Sequence, residues 1–282
     1  MKRVLTYLFA AGMMISAASL MFTSCTKEGP QGPAGADGKD GTDATATCTQ
    51  CHNFSDMVVA KIIQYDASAH GAGFTFERNG TSCAQCHTSQ GFREYLDGGP
   101  TPLAEAIQNP APVGCRTCHM IHDTYTATDW GLRHVDAFTN NDGKAEDLTT
   151  EGGDDTGNLC AKCHQTRPLS PAITDPTSTT EMVNITSYRY GPHHGPQSNM
   201  LAGIGGFDIN GDGMLANSFH TGRVACYTCH AAAAYGKQAG GHTFAMGYEY
   251  HGSLGPNTAG CTLEGCHPDL EDFDYDGKQT II

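Results

Sequence analysis

A single tryptophan in 282 residues, and a hydrophobic share of 39% that already counts 13 cysteines, leave little aliphatic or aromatic material for a packed core. A chain of this length ordinarily folds as one or two domains around such a core. Here something other than side chains must fill the centre. Basic residues are scarce too: 16 Lys and Arg stand against 30 Asp and Glu, for a formal net charge of −14. A surface this acidic repels nucleic acid and anionic head groups, and is expected to steer cationic partners towards itself, the alternative being solubility alone. What the chain has in plenty is Gly (35), Cys (13) and His (14).

The N-terminus reads as an address. Met1-Lys2-Arg3 is a short basic start, and an apolar run follows from Val4 to Phe22. That layout is a secretory signal, although the run approaches membrane-spanning length. Phe22-Thr23-Ser24-Cys25 resembles a bacterial lipobox, with Phe where Leu is usual. On this reading the signal is residues 1–24 and Cys25 carries lipid; the alternative is an incidental thiol. Residues 25–46 follow as a tether. Within it Gly recurs every third residue from Gly29 to Gly41, the collagen period, for too few triplets to hold a triple helix. An extended polar spacer is expected, with trimer formation the lesser alternative.

The remaining body, residues 47–282, carries six related motifs. Five have the form Cys-x-x-Cys-His: Cys48, Cys51 and His52; Cys83, Cys86 and His87; Cys115, Cys118 and His119; Cys160, Cys163 and His164; Cys226, Cys229 and His230. The sixth, Cys261, Cys266 and His267, has four residues between its cysteines. Two Cys three positions apart lie on one side of a helical turn, so both sulfurs reach the two vinyl groups of one haem. The His that follows is placed to become the proximal iron ligand. The longer spacing needs an extra bulge. Zinc sites also use Cys pairs, usually two per metal, but do not require His after each second Cys. A redox disulfide explains one such motif, not six in one exported chain. The twelve motif cysteines leave Cys25 as the odd one out.

Six proximal His leave eight: His70, His122, His134, His193, His194, His220, His242 and His251. Six irons need at most six distal imidazoles, so every iron can be closed by two His, with two to spare. His122 lies three residues after His119 and is expected to face a neighbouring haem. His193 and His194 adjoin and can serve two haems. Met200 and Met246 are competing soft ligands that would raise a haem's potential. Tyr188, Arg189 and Tyr190 precede the His pair, and are expected to pack on haem or hold propionates rather than line a substrate pocket. Asp208, Asn210 and Asp212 match the start of a calcium loop, without the closing Glu; the alternative is an acidic turn. Asp272–Gly277 is similar but has no room to complete a site.

These motifs, with Gly191-Pro192-His193-His194-Gly195-Pro196, resemble the multihaem cytochromes c over nearly all of the mature chain. The resemblance implies six covalent c-type haems. It also implies a mostly irregular, weakly α-helical fold: short helices and loops wrapped around a closely packed haem array, with little or no sheet. Helices are expected at the motifs, at 56–65, at 90–96 and at 102–108, the last with Thr101 as N-cap and Pro102 in the first turn. Loops are expected at 140–158 and 166–187. The implied function is electron transfer to redox partner proteins or an external acceptor, from a lipid-anchored body facing the periplasm or the cell surface. A reductase of nitrite or hydroxylamine with one open haem is the first alternative. A subunit of a polymeric cytochrome wire, formed by homo-oligomerisation into a filament, is the second.

Overall fold

The computed structural model describes residue 52 and residues 55–167, 169–175, 178–188, 190–191, 193, 196–204 and 219–274. The signal, Cys25 and the tether lie outside these residues. So do Cys48, Cys51, His194, Arg189 and the calcium-loop residues Asp208, Asn210 and Asp212. No helix among the described residues is long and apolar enough to cross a membrane.

The described chain is mostly irregular. It holds short helices and two small two-stranded sheets. Helix α1, Asp56–Asp66, carries the expected apolar positions, and α2, Ala69–Ala72, follows after a bend. Ser68 caps α2: its Oγ accepts from the Gly71 amide at 3.0 Å and donates to the Tyr65 carbonyl at 2.6 Å. Helices α3, Ala84–His87, and α4, Ser89–Leu96, are separated by Thr88, whose hydroxyl caps α4 by accepting from Gly91 N at 2.9 Å. Then come α5, Cys115–Cys118, α6, Gly157–Ala161, α7, Gln197–Ala202, and α8, Cys226–His230. Strands β1, Phe138–Thr139, and β2, Ala145–Glu146, pair antiparallel, as do β3, Gly247–Tyr250, and β4, Ser253–Pro256.

The expected helix at 102–108 does not form. The Leu103 amide bonds to the Thr81 carbonyl and the Ile107 amide to the Asn79 carbonyl, while Asn79 Nδ2 donates back to Ile107 O at 2.7 Å. The segment spends its backbone donors on the loop before α3, and tertiary pairing overrides the local N-terminal signal. The stretch 140–158, expected as loop, includes β2 and the start of α6.

Apolar burial is as thin as the composition implies. The buried hydrophobic residues include Ala84, Phe92, Leu103, Leu148, Leu159 and Ala161. Polar side chains share the interior and hold it by hydrogen bonds. Asn158, fully buried, accepts from Leu148 N at 2.7 Å and donates to the Val135 carbonyl at 3.0 Å. A buried amide with its bonds made fixes three strands of chain at once; left unpaired it would cost about 1–3 kcal/mol.

Candidate haem sites

Each described motif folds the same way locally. The amide of the closing His returns to the carbonyl of the opening Cys: His87 to Cys83 at 3.1 Å, His119 to Cys115 at 2.9 Å and His164 to Cys160 at 3.0 Å. This turn puts both sulfurs on one side. The sixth motif keeps that bond despite its two extra residues, His267 N donating to Cys261 O at 2.9 Å. The surplus is absorbed in a turn at Gly265, whose φ of 80° suits a residue without Cβ. The expected bulge therefore leaves the ends of the motif as they are in the shorter ones.

The imidazoles then meet in pairs, one from a motif and one from elsewhere. His52 faces His122 with ring centres 6.1 Å apart, His164 faces His70 at 6.0 Å, and His87 faces His193 at 5.9 Å. His119 faces His242 at 6.2 Å, and His267 faces His220 at 6.0 Å. A metal–imidazole bond is about 2 Å long, so two nitrogens across one iron stand about 4 Å apart and the ring centres one ring width further. The observed separations fit that arrangement. They are too wide for direct stacking contact.

Second partners orient the motif imidazoles. His119 Nδ1 lies 2.7 Å from the Trp130 carbonyl, His230 Nδ1 3.0 Å from the Phe244 carbonyl, and His164 Nδ1 3.1 Å from Gln197 Oε1. With the proton on Nδ1 donated to oxygen, the Nε2 lone pair is free for a metal. Burial lowers the pKa of His70, with the neighbouring His164 adding to it. Burial also lowers His87, helped by Arg78 and His193, and His242, helped by Lys61 and His119. All three are thus favoured in the neutral form.

These groups line one cavity of about 3400 Å³. A pocket for a single small ligand holds about 300–1,000 Å³, so the space suits several large ligands rather than one. Its wall is mostly apolar, with Met57, Val58, Ile62 and Tyr65 from α1 and Phe92 from α4 among the lining residues. The apolar face of α1 therefore turns to an opening, which explains why Ile62 is 46% exposed.

Among the described residues no three His, Cys, Asp or Glu side chains converge on one point, and the described cysteines are free. Burial pushes the Cys118 thiol up to about 11, with Cys115 contributing, and burial with Cys261 pushes Cys229 to about 11. Such thiols are poor thiolates. Paired imidazoles and the cysteines beside them thus line one large, mostly apolar cavity.

Not every expected ligand is brought in. His134 Nε2 lies 3.5 Å from Asp97 Oδ1, and His251, exposed at the turn between β3 and β4, packs against Tyr250 at 4.2 Å. Neither faces a motif imidazole. Among the described residues no second imidazole pairs with His230. Met200 is 76% exposed, whereas Met246 and Tyr190 line the cavity. Tyr188, at 90% exposed, does not line it. Asp272 takes part in a simple turn, accepting from Asp274 N at 2.8 Å.

Three residues of the site carry no mark in the sequence pattern. Lys162, inside the fourth motif, is buried, and its Nζ donates to the carbonyls of His134 at 2.7 Å and Asp136 at 2.6 Å. Arg133, also buried, donates to the His119 carbonyl from Nε and Nη2, at 3.2 and 2.8 Å. The Phe244 ring packs on His70 at 5.4 Å and on His242 at 5.7 Å. The middle positions of a motif, and residues between motifs, look neutral until the fold assembles them. No family model, no curated protein and no solved structure matches this chain.

Proposed function

We propose that this chain is a hexahaem cytochrome c that carries electrons, exported and tethered to the cell envelope by lipid at Cys25. The single observation that supports this best is the set of five facing imidazole pairs at 5.9–6.2 Å, each joining a motif His to a distant one. Bound haem would supply one-electron chemistry at each iron. An iron closed by two imidazoles has no open position for substrate, so it exchanges an electron with a neighbour and nothing else. The neighbour is reoxidised as it is reduced. The protein's part is to hold the two nitrogens on opposite sides, keep them unprotonated and exclude water with the apolar wall. The acidic surface favours a cationic redox partner protein, with an external acceptor as the alternative terminus.

The alternative reading is a reductase with one open haem. Low-temperature EPR of the oxidised holoprotein separates the two. The carrier gives low-spin signals from all its haems. A substantial high-spin signal that responds to nitrite or hydroxylamine would sink it. Electron microscopy of the purified protein tests for filaments.

A further inference from the structure

The second imidazole of the first pair, His122, stands on a loop that is closed at its base. His119 bridges to Leu132 in antiparallel pairing, and the Met120 amide donates to the Gly131 carbonyl at 3.0 Å. Arg133 Nη2 reaches Asp123 Oδ2 at 3.6 Å as well as the His119 carbonyl at 2.8 Å. His119 at this base faces His242, while His122, further out on the loop, faces His52.

The outer part of the loop is strained. His122 and Tyr125 have φ of 68° and 58°, a left-handed backbone that a residue with a Cβ keeps only when its surroundings hold it there. Asp129, in the 3-10 helix Ala127–Trp130, is the residue that holds it. Its Oδ1 accepts from the Thr124 amide at 2.9 Å and the Thr124 hydroxyl at 2.6 Å, and its Oδ2 accepts from the Tyr125 amide at 2.9 Å. Asp129 is buried, 4% exposed, yet makes no ion pair among the described residues. A buried carboxylate without a cation is tolerated only when its hydrogen bonds are made, and here both oxygens are used on this one turn. The Tyr125 ring, placed by the bond to its amide, stacks on His122 at 5.5 Å and 11°.

We propose that Asp129 is the positioning residue of the first haem: it locks the 122–125 backbone in the left-handed turn that presents His122 to the iron opposite His52. A motif imidazole is tied to its haem through the neighbouring thioethers. A distal imidazole has no such tie, so its place depends on the backbone that carries it. Asp129 touches neither iron nor macrocycle, and acts through His122.

This inference rests on the haem reading, so covalent haem is counted first, by pyridine haemochrome assay; its absence defeats that reading and this inference with it. With six haems loaded, His122→Ala, Asp129→Ala and the double variant are compared with the wild type. CO titration of the reduced protein and low-temperature EPR of the oxidised protein read the result. Each of the three should bind one more CO per protein than the wild type, and about a sixth of the haem should turn high-spin, with no further gain in the double. Asn140→Ala is the control. Asn140 is also buried and braces its own turn, accepting from the Asp142 and Lys144 amides at 3.0 Å each, but no His lies between residues 135 and 163. That variant should match the wild type. A His122→Ala protein that opens no iron overturns the pairing with His52 and this inference together. With that iron open, an Asp129→Ala protein as low-spin as the wild type, a double that gains two CO sites, or an Asn140→Ala protein that gains one overturns the role of Asp129 alone. Where Asp129→Ala does not load six haems, Asp129→Asn keeps the size and sets an N–H against one of the same amides; the same outcomes then decide.

Discussion

Replacing His70 with Ala should open one iron and only one. His70 faces His164 at 6.0 Å from α2, a four-residue helix capped by Ser68. The cap does not use the His70 side chain, and Ala is the better helix former by a few tenths of a kcal/mol. The backbone should therefore hold while the ligand is lost. On the proposed haem reading, one of six haems would become five-coordinate, so the reduced variant should bind one more CO per protein than the wild type, and about a sixth of the oxidised haem should turn high-spin. The same increment is expected for Ala at His122, His193, His220 or His242, and it should add in doubles because the pairs are separate. His134→Ala and His251→Ala are the controls, since neither faces a motif imidazole. Loss of the His134–Asp97 contact, a partly exposed pair, costs at most about 1 kcal/mol. CO difference spectra and EPR read the result. A His70→Ala protein that stays wholly low-spin, or a His134→Ala protein that gains a CO site, would refute the pairing.

Other outcomes follow from the same geometry. Lys162→Met removes a buried ammonium from two carbonyls and should cost about 1–3 kcal/mol in urea unfolding; an unchanged midpoint would show the charge to be idle. Gly260→Ala drives a methyl group into Thr228 O and Cys229 Cα, at a cost of about 1–3 kcal/mol, and should lower occupancy of the sixth haem. Stripping the haem should abolish the cooperative melt seen by circular dichroism, because little apolar side chain remains to hold the cavity closed. Asp129 is a pH probe. Burial raises its pKa, but the Thr124 hydroxyl and the amides of Thr124, Tyr125 and His122 outweigh this and leave it lowered. A depressed folded value means stability that is present above the unfolded pKa of about 3.9 and lost as pH falls below it. Asp129→Asn should flatten the acid limb of a stability–pH curve, and an unchanged limb would count against it.

The motifs and the surplus of histidine were legible because they are marked by residue type and spacing alone. The pairing was not, because it is set by residues far apart in the chain. His70 lies ahead of the second motif but faces the fourth, and His220 precedes the fifth but faces the sixth. His122 was expected one helical turn from His119, but His119 is extended beyond α5 and His122 has φ of 68°, so its pairing with His52 is set by the fold as well. His251 looked as well placed as His220, yet it sits at a hairpin turn with φ of 50°. The segment at 102–108 had a good N-terminal signal and no helix, because its amides found partners across the fold. Lys162, Arg133 and Phe244 act through burial and proximity, which a one-dimensional pattern does not encode.

The imidazole pairs also bear on how the chain holds itself together mechanically. With iron between them, His119 and His242 close a loop of about 120 residues, and His70 with His164 one of about 90, of the size where a covalent cross-link removes several kcal/mol of chain entropy. The loops 52–122, 70–164, 87–193 and 119–242 overlap successively, like links in mail. No segment within them can peel away without breaking a ligand bond shared with the next. If that cavity is filled by the proposed haems, the protein should come apart all at once or not at all, and its resistance to unfolding should track the strength of its iron–nitrogen bonds more than the area its side chains bury.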